Sequence, residues 1–318
     1  MSSRNTATTG RSLGPVIVWI ILCLIWGSTW AFIKLGLRDL PPFTFASTRF
    51  IIAVCLLLLI AYLRRAKLPA TRSEWRLLVT TGILQFTINY GLVFWGESYI
   101  SSGLAALLQA TIPLFGLLIA HRYLPNEPLT FVRLCGVVIG LIGIAVIFSN
   151  QLTIGDVWSV WGSIAIVIGA FAAAYSNVLL KSSDVKLDLS VLVAVQMLFG
   201  LIPLLTLGLI KEGTPFHLHW TPTAMLSVLY LTLVGSVAAF MLFYWLVRHM
   251  DVTNTQLIAL VTPVVAVLIG VMFLDEKLTW RIVLGGLGIF VGIGLIILRR
   301  SKPQRLNRET QQLHAAQK

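Results

Sequence analysis

The chain has 318 residues, 57% of them hydrophobic and only 11% charged, with a formal net charge of +12 and a mean hydropathy of +0.89. A soluble domain carries about 25% charged residues, so this composition excludes one and indicates an integral membrane protein. The basic balance does not indicate nucleic acid, because Lys and Arg sit between apolar runs and form no stripe.

Ten apolar runs follow one another along the chain, at 14–36, 44–63, 76–97, 102–123, 130–149, 156–180, 189–210, 222–247, 253–274 and 279–298. Each is close to the ~20 residues that a helix needs to cross a hydrocarbon core. The polar segment 1–13 comes first. The run after it lacks a small-x-small cleavage pattern and is read as a retained first helix. The linkers are short and hold the Pro, Gly and charged residues. The segment 299–318 is polar and basic, and reads as a disordered cytoplasmic tail.

Lys and Arg alternate in density from linker to linker. With the N-terminus inside, only Lys34, Arg38, Lys211, Lys277 and Arg281 fall outside, and Arg49 lies within a span. Every other Lys and Arg falls on the inner side. The positive-inside rule then places both termini in the cytoplasm.

The sequence from Leu104 to Phe148 recurs from Asn254 to Ile297. Aligning Pro113 with Pro263 also aligns Trp95 with Trp245 and Leu107 with Leu257. Past a one-residue loss in the loop, Glu127 meets Glu276, Thr130 meets Thr279, Gly136 meets Gly285 and Gly143 meets Gly292. Further back, Lys34 meets Lys181. Such self-similarity marks a duplication: 14–149 holds helices 1–5 and 150–298 holds helices 6–10. Five is odd, so the second copy enters the membrane from the opposite side, the build of many secondary transporters.

The polar residues inside the spans are the candidates for chemistry. Pro113 and Pro263 each remove a backbone donor in mid-span, freeing the carbonyls of Gln109 and Ala259. Matching interruptions in two repeats point to a transport path, although an ordinary packing kink needs the same residue. Trp26, Ser28, Thr29 and Trp30 in helix 1, Gln85, Asn89, Tyr90 and Trp95 in helix 3, and Gln109 and Thr111 in helix 4 interrupt apolar sequence. Tyr175, Ser176 and Asn177 in helix 6 and Tyr230, Tyr244 and Trp245 in helix 8 do the same. Together they suggest a polar, aromatic-walled cavity; singly, each is equally explained by bonding between helices or an interfacial belt.

Arg49 and Lys34 are buried or near-buried cations. They would attract a carboxylate, snorkel to the interface, or pair with helix-end carbonyls. Glu97 is the best placed acid for proton coupling, unless it is simply solvated at the interface. His217 and His219 are a weak metal signal. Cys23, Cys55 and Cys135 read as buried, widely spaced thiols forming neither a disulfide framework nor a zinc site. Helices 5 and 10 are Gly-rich and almost free of polar atoms, which suits a scaffold or a homodimer contact. No catalytic, nucleotide-binding or cofactor motif appears, so no enzyme is indicated.

Several stretches also carry a family resemblance: WGSTWAFIKLGL in helix 1, Pro41-Pro42 followed by STRF, YISSGLAALLQATIPLF across helices 3 and 4, and the NEPLT and DEKLT turns into helices 5 and 10. In these the chain resembles the drug/metabolite transporter superfamily, in its ten-helix EamA-type branch, over residues 14–298. The resemblance implies an all-α polytopic fold of two inverted five-helix repeats, with a central cavity lined by helices 1–4 and 6–9. It implies a multi-pass protein of a bacterial-type inner membrane that exports amino acids or similar small metabolites, or toxic compounds. A carrier of this kind would use Trp26, Thr29, Trp30, Arg49, Gln85, Asn89, Tyr90, Gln109, Tyr175, Asn177 and Tyr244 for substrate, Pro113 and Pro263 for movement, and Glu97 for coupling. A channel-like pore is the alternative.

Overall fold

A computed structural model describes residues 13–100, 102–147, 149, 156–183, 185–214, 218, 220–273 and 279–298. The N-terminal segment, the tail from 299, the loop acid Glu276 with its neighbour Lys277, and the pair His217 and His219 lie outside these residues.

Every element among the described residues is helical. The helices are α1 (Leu13–Gly36), α2 (Pro42–Leu63), α3 (Arg72–Glu97), and α4 in two pieces, α4a (Ser102–Gln109) and α4b (Ile112–Tyr123). They continue with α5 (Phe131–Ile147), α6 (Val157–Ser182), α7 (Leu189–Lys211) and α8 (Pro222–His249). Helix α9 is again in two pieces, α9a (Val252–Gln256) and α9b (Ile258–Phe273), and α10 (Trp280–Leu298) is last. Seven helices, α1–α4 and α6–α8, are long and apolar enough to cross a membrane, and the chain is a polytopic membrane protein. The apolar stretches Phe131–Ile147, Val252–Ala266 and Val283–Ile296 of α5, α9 and α10 are shorter.

The helices begin where side chains supply what the backbone lacks. Thr71 and Glu74 form a reciprocal capping box at α3, which starts the helix at Arg72, four residues before the apolar run. Asp156 caps α6 through the Ser159 N–H at 2.8 Å, and that bond holds its carboxyl below the ordinary range. Asp188 caps α7 through Ser190, and Thr221 caps α8 through Ala224. Gly213, at φ +81°, ends α7 in the left-handed region. Beside it, Glu212 turns its carboxylate onto the Phe43 and Thr44 N–H groups and caps α2 from across the bundle.

Large apolar side chains remain exposed on the outside of the bundle: Leu24, Leu59, Leu226 and Phe290 are each more than half exposed. In water such a surface would aggregate; against lipid it is the solvated face. Cys55 lies on this outer face, unlike the buried Cys23. From sequence all three thiols read as buried; a span that is apolar all round does not reveal which side faces its neighbours.

Two features set the site. First, α3 and α8 each contain a π-helical stretch, Ile83–Asn89 and Leu233–Ala238. Second, α4 breaks at Ala110–Thr111 and α9 breaks at Leu257. Pro113 stands at the start of α4b, so it follows the break directly. Pro263 instead lies within α9b, and the Thr262 hydroxyl donates to the carbonyl of Ala259 at 3.4 Å. That is how the chain meets the demand of a proline-freed carbonyl without ending the helix.

Helices α5 and α10 pack on each other. Gly136 faces the carbonyl of Gly292, and Gly143 faces that of Gly285, so the two helices run antiparallel. A side chain at any of the four would run into the partner's backbone, which is why small residues stand there. The glycine faces that suggested a homodimer contact are therefore occupied, at these four positions, within one chain.

Candidate functional site

The π stretch of α3 and the breaks in α4 and α9 converge on one cavity of about 110 Å³. Helix α1 contributes Trp26, Thr29, Trp30 and Ile33, and the π stretch of α3 contributes Gln85 and Asn89, followed by Tyr90 and Val93. The two breaks contribute Gln109 and Ile112 from α4, and Thr255, Gln256, Ile258, Ala259 and Thr262 from α9. Asn177 of α6 and Phe243 of α8 complete the wall. A π turn carries one extra residue and re-aims the helix face. Gln85 and Asn89, four residues apart, both stand on the cavity side.

The polar wall is partly paired and partly open. Gln109 Nε2 donates to Asn89 Oδ1 at 2.6 Å. The amide oxygens of Gln85, Gln109 and Asn177 are buried and have no hydrogen-bond partner in the protein. Buried amides of this kind call for a partner, and here the space in front of them is the cavity. The opposite wall is aromatic. Trp26 packs against Phe240 and Phe243, with ring centroids 5.7 and 5.1 Å away, and its indole N–H points at the carbonyl of Gly235 at 3.4 Å. No charged side chain lines the cavity among the described residues.

The structure thus brings together Trp26, Thr29, Trp30, Gln85, Asn89, Tyr90, Gln109 and Asn177 at one surface. It does not bring Arg49, Tyr175 or Tyr244 to that surface. Arg49 is 1% exposed. Its Nε donates to Ser236 Oγ at 2.7 Å and one terminal nitrogen to the Gly235 carbonyl at 3.1 Å. The guanidinium lies 5.1 Å from the centre of the Tyr90 ring, so Tyr90 stands between the cation and the cavity it lines. Tyr175 faces away and meets Tyr123, hydroxyl to hydroxyl, at 3.4 Å. Tyr244 is buried behind Phe243 and lines a different cavity.

Other polar residues singled out in the spans are occupied with neighbouring helices. Ser28 pairs with the Tyr230 hydroxyl, Ser176 donates to the Thr81 carbonyl, and Thr111 donates back to Leu108. Lys34 donates to the carbonyls of Glu97 and Ile100 at the end of α3, at 3.2 and 3.5 Å. A cation there complements the helix C-terminus, so the carbonyl-pairing reading of Lys34 holds. Lys181 does the same at the end of α8, to Val247 and Met250. Glu97 is fully buried beside the Lys34 contact.

Thr255, Gln256 and Thr262 were missed in the sequence. The available signal was a short polar stretch at the head of an otherwise apolar run, just upstream of the second mid-span proline. Gly116 of α4b makes room for Gln256, whose side-chain oxygen fills the place a Cβ would take.

The comparisons agree with this architecture. A transporter of Bacillus subtilis strain 168, YoaV, is 28% identical over 86% of this chain and 93% of its own length. The inner membrane transporter YedA of Escherichia coli K12 is 33% identical over 81% of this chain and 82% of its own. A solved crystal structure, 19% identical in sequence, superposes with a TM-score of 0.72 over 89% of this chain and 96% of its own. The model of the EamA-like transporter family matches residues 14–149 and again 160–298. The chain therefore belongs to the EamA-like transporter family, within the drug/metabolite transporter superfamily, and its relatives are named as transporters rather than as enzymes.

Proposed function

We propose that the protein is a secondary carrier that exports amino acids or similar small amphipathic metabolites by alternating access through the cavity between α1, α3, α4, α6, α8 and α9. The observation that carries this reading is the pairing of unpartnered amide oxygens on Gln85, Gln109 and Asn177 with the aromatic wall of Trp26, Trp30, Tyr90 and Phe243. Amide oxygens accept from a donor-rich group such as an ammonium. Aromatic faces suit both that cation and an apolar side chain. Arg49 acts from behind this surface, steadying the π stretch of α8, and is not the group that meets a carboxylate.

The carrier reading also draws on the repeats. In this reading all ten helices cross the membrane, as inverted copies over 14–149 and 150–298, with both termini cytoplasmic and the inner membrane of a bacterial-type cell as the location. The recurring π stretches, the recurring helix breaks and the matching roles of Lys34 and Lys181 support it. Two similar halves in opposite orientations can exchange conformations, giving inward-open and outward-open states of similar energy.

The test is counterflow in proteoliposomes with a panel of labelled amino acids. Saturable flux accelerated by unlabelled solute on the far side is expected. Flux without such acceleration would mean a pore, and no flux across the panel in folded protein would remove amino acids as the substrate class.

A further inference from the structure

A second cavity, of about 330 Å³, lies where α6 and α8 end and α7 begins. Its chemistry differs from that of the first. Lys181, Lys186 and Arg248 stand around it, while Leu180 and Leu192 give it apolar walls. Tyr244, 1% exposed, forms part of its lining.

The cations retain donors to offer. Lys181 gives two bonds to the α8 carbonyls of Val247 and Met250, and an ammonium has three N–H groups. Arg248 uses one terminal nitrogen on the Leu187 carbonyl at 2.6 Å, which leaves the rest of its fork. Lys186 is exposed. The acid closest along the chain among the described residues, Asp188, caps Ser190, pairs with Arg64 at 3.4 Å and also lies within the electrostatic reach of Arg248. A basic, apolar-walled cavity at the level of helix ends matches an amphipathic anion at the boundary between water and lipid.

We propose that this cavity binds the phosphate group of an anionic phospholipid, with Lys186 and Arg248 on the phosphate oxygens and the acyl chains along the apolar outer face. The same chemistry would accept a free phosphate ester, so the test must separate the two sources.

The experiment is native mass spectrometry of the full chain in detergent, titrated with phosphatidylglycerol or with phosphatidylcholine. Glycerol 3-phosphate serves as a soluble competitor. Retention of phosphatidylglycerol over phosphatidylcholine is expected, lowered roughly 10- to 30-fold in the double variant Lys186→Gln with Arg248→Gln, since each cation near a membrane surface counts for about a three- to fivefold effect. Displacement by millimolar glycerol 3-phosphate would support a phosphate site served from solution instead of the bilayer. Equal retention of the two lipids, or a folded double variant that binds phosphatidylglycerol as the wild type does, would overturn the proposal.

Discussion

Gln109 donates its side-chain amide to Asn89 Oδ1 at 2.6 Å, joining the end of α4a to the π stretch of α3. Two irregular backbones are thus linked through one hydrogen bond at the cavity wall. Asn89→Ala removes the acceptor and leaves the Gln109 N–H groups facing the cavity. A buried donor without a partner costs about 1–3 kcal/mol. Transport efficiency should fall about tenfold, which is ~1.4 kcal/mol, while the melting temperature falls by only a few degrees. Unchanged flux would take Asn89 out of the substrate path.

Gly116 and Gln256 form a second such relationship. A side chain on Gly116 would occupy the position of the Gln256 oxygen, so Gly116→Val should push Gln256 toward the cavity. Apparent substrate affinity should drop while the helix pair stays folded, with overpacking costing roughly 1–3 kcal/mol. Gly116→Ala should show a smaller effect of the same sign. A wild-type KM in both variants would refute this role for the glycine.

Glu127 and Glu212 hold two helix starts in the same way. Glu127 accepts from the N–H groups of Val252 and Thr253 at 2.8 and 3.0 Å, and from the Thr253 hydroxyl. Glu212 accepts from Phe43 N, Thr44 N and the Thr44 hydroxyl. Either carboxylate meets a helix N-terminus, where negative charge is favoured. Glu127→Ala should destabilise the protein by about 1–3 kcal/mol, read as earlier unfolding in detergent. Glu127→Gln should recover part of that loss. An unaltered melting curve for Glu127→Ala would show that the cap is dispensable.

Arg49→Lys separates structure from selectivity. Lysine cannot reproduce two directed bonds to Ser236 Oγ and the Gly235 carbonyl. Loss of a partner from a buried charged network costs about 3–5 kcal/mol when nothing replaces it. The variant should unfold earlier and keep the wild-type ranking of substrates. A stable variant with altered preference for carboxylates would place Arg49 in substrate contact after all.

Gly136→Val tests the α5–α10 pair. Its side chain would meet the carbonyl of Gly292, and the two helices would have to separate. Stability should fall by about 1–3 kcal/mol, measured as thermal unfolding, with substrate affinity in the remaining folded protein unchanged. No loss of stability would mean that the pair adjusts without cost.

Much of this molecule was legible in one dimension because the bilayer imposes a one-dimensional rule: a spanning segment must be long, helical and apolar. Charge scarcity and run length were enough to indicate a polytopic helical membrane protein, and polar interruptions in those runs found Trp26, Trp30, Gln85, Asn89, Gln109 and Asn177. The same rule hid the rest. Lipid and protein interior are both apolar, so the sequence alone did not say whether Cys55, Tyr175 or Tyr244 faces the cavity, a neighbour or the outside. It did not show that Arg49 is spent on a π-helical carbonyl behind Tyr90, because that partner lies 186 residues away along the chain. The π stretches and the break at Leu257 carry no proline of their own. They exist because packing across the bundle decides where a backbone bond can be given up, and only the tertiary structure holds that information.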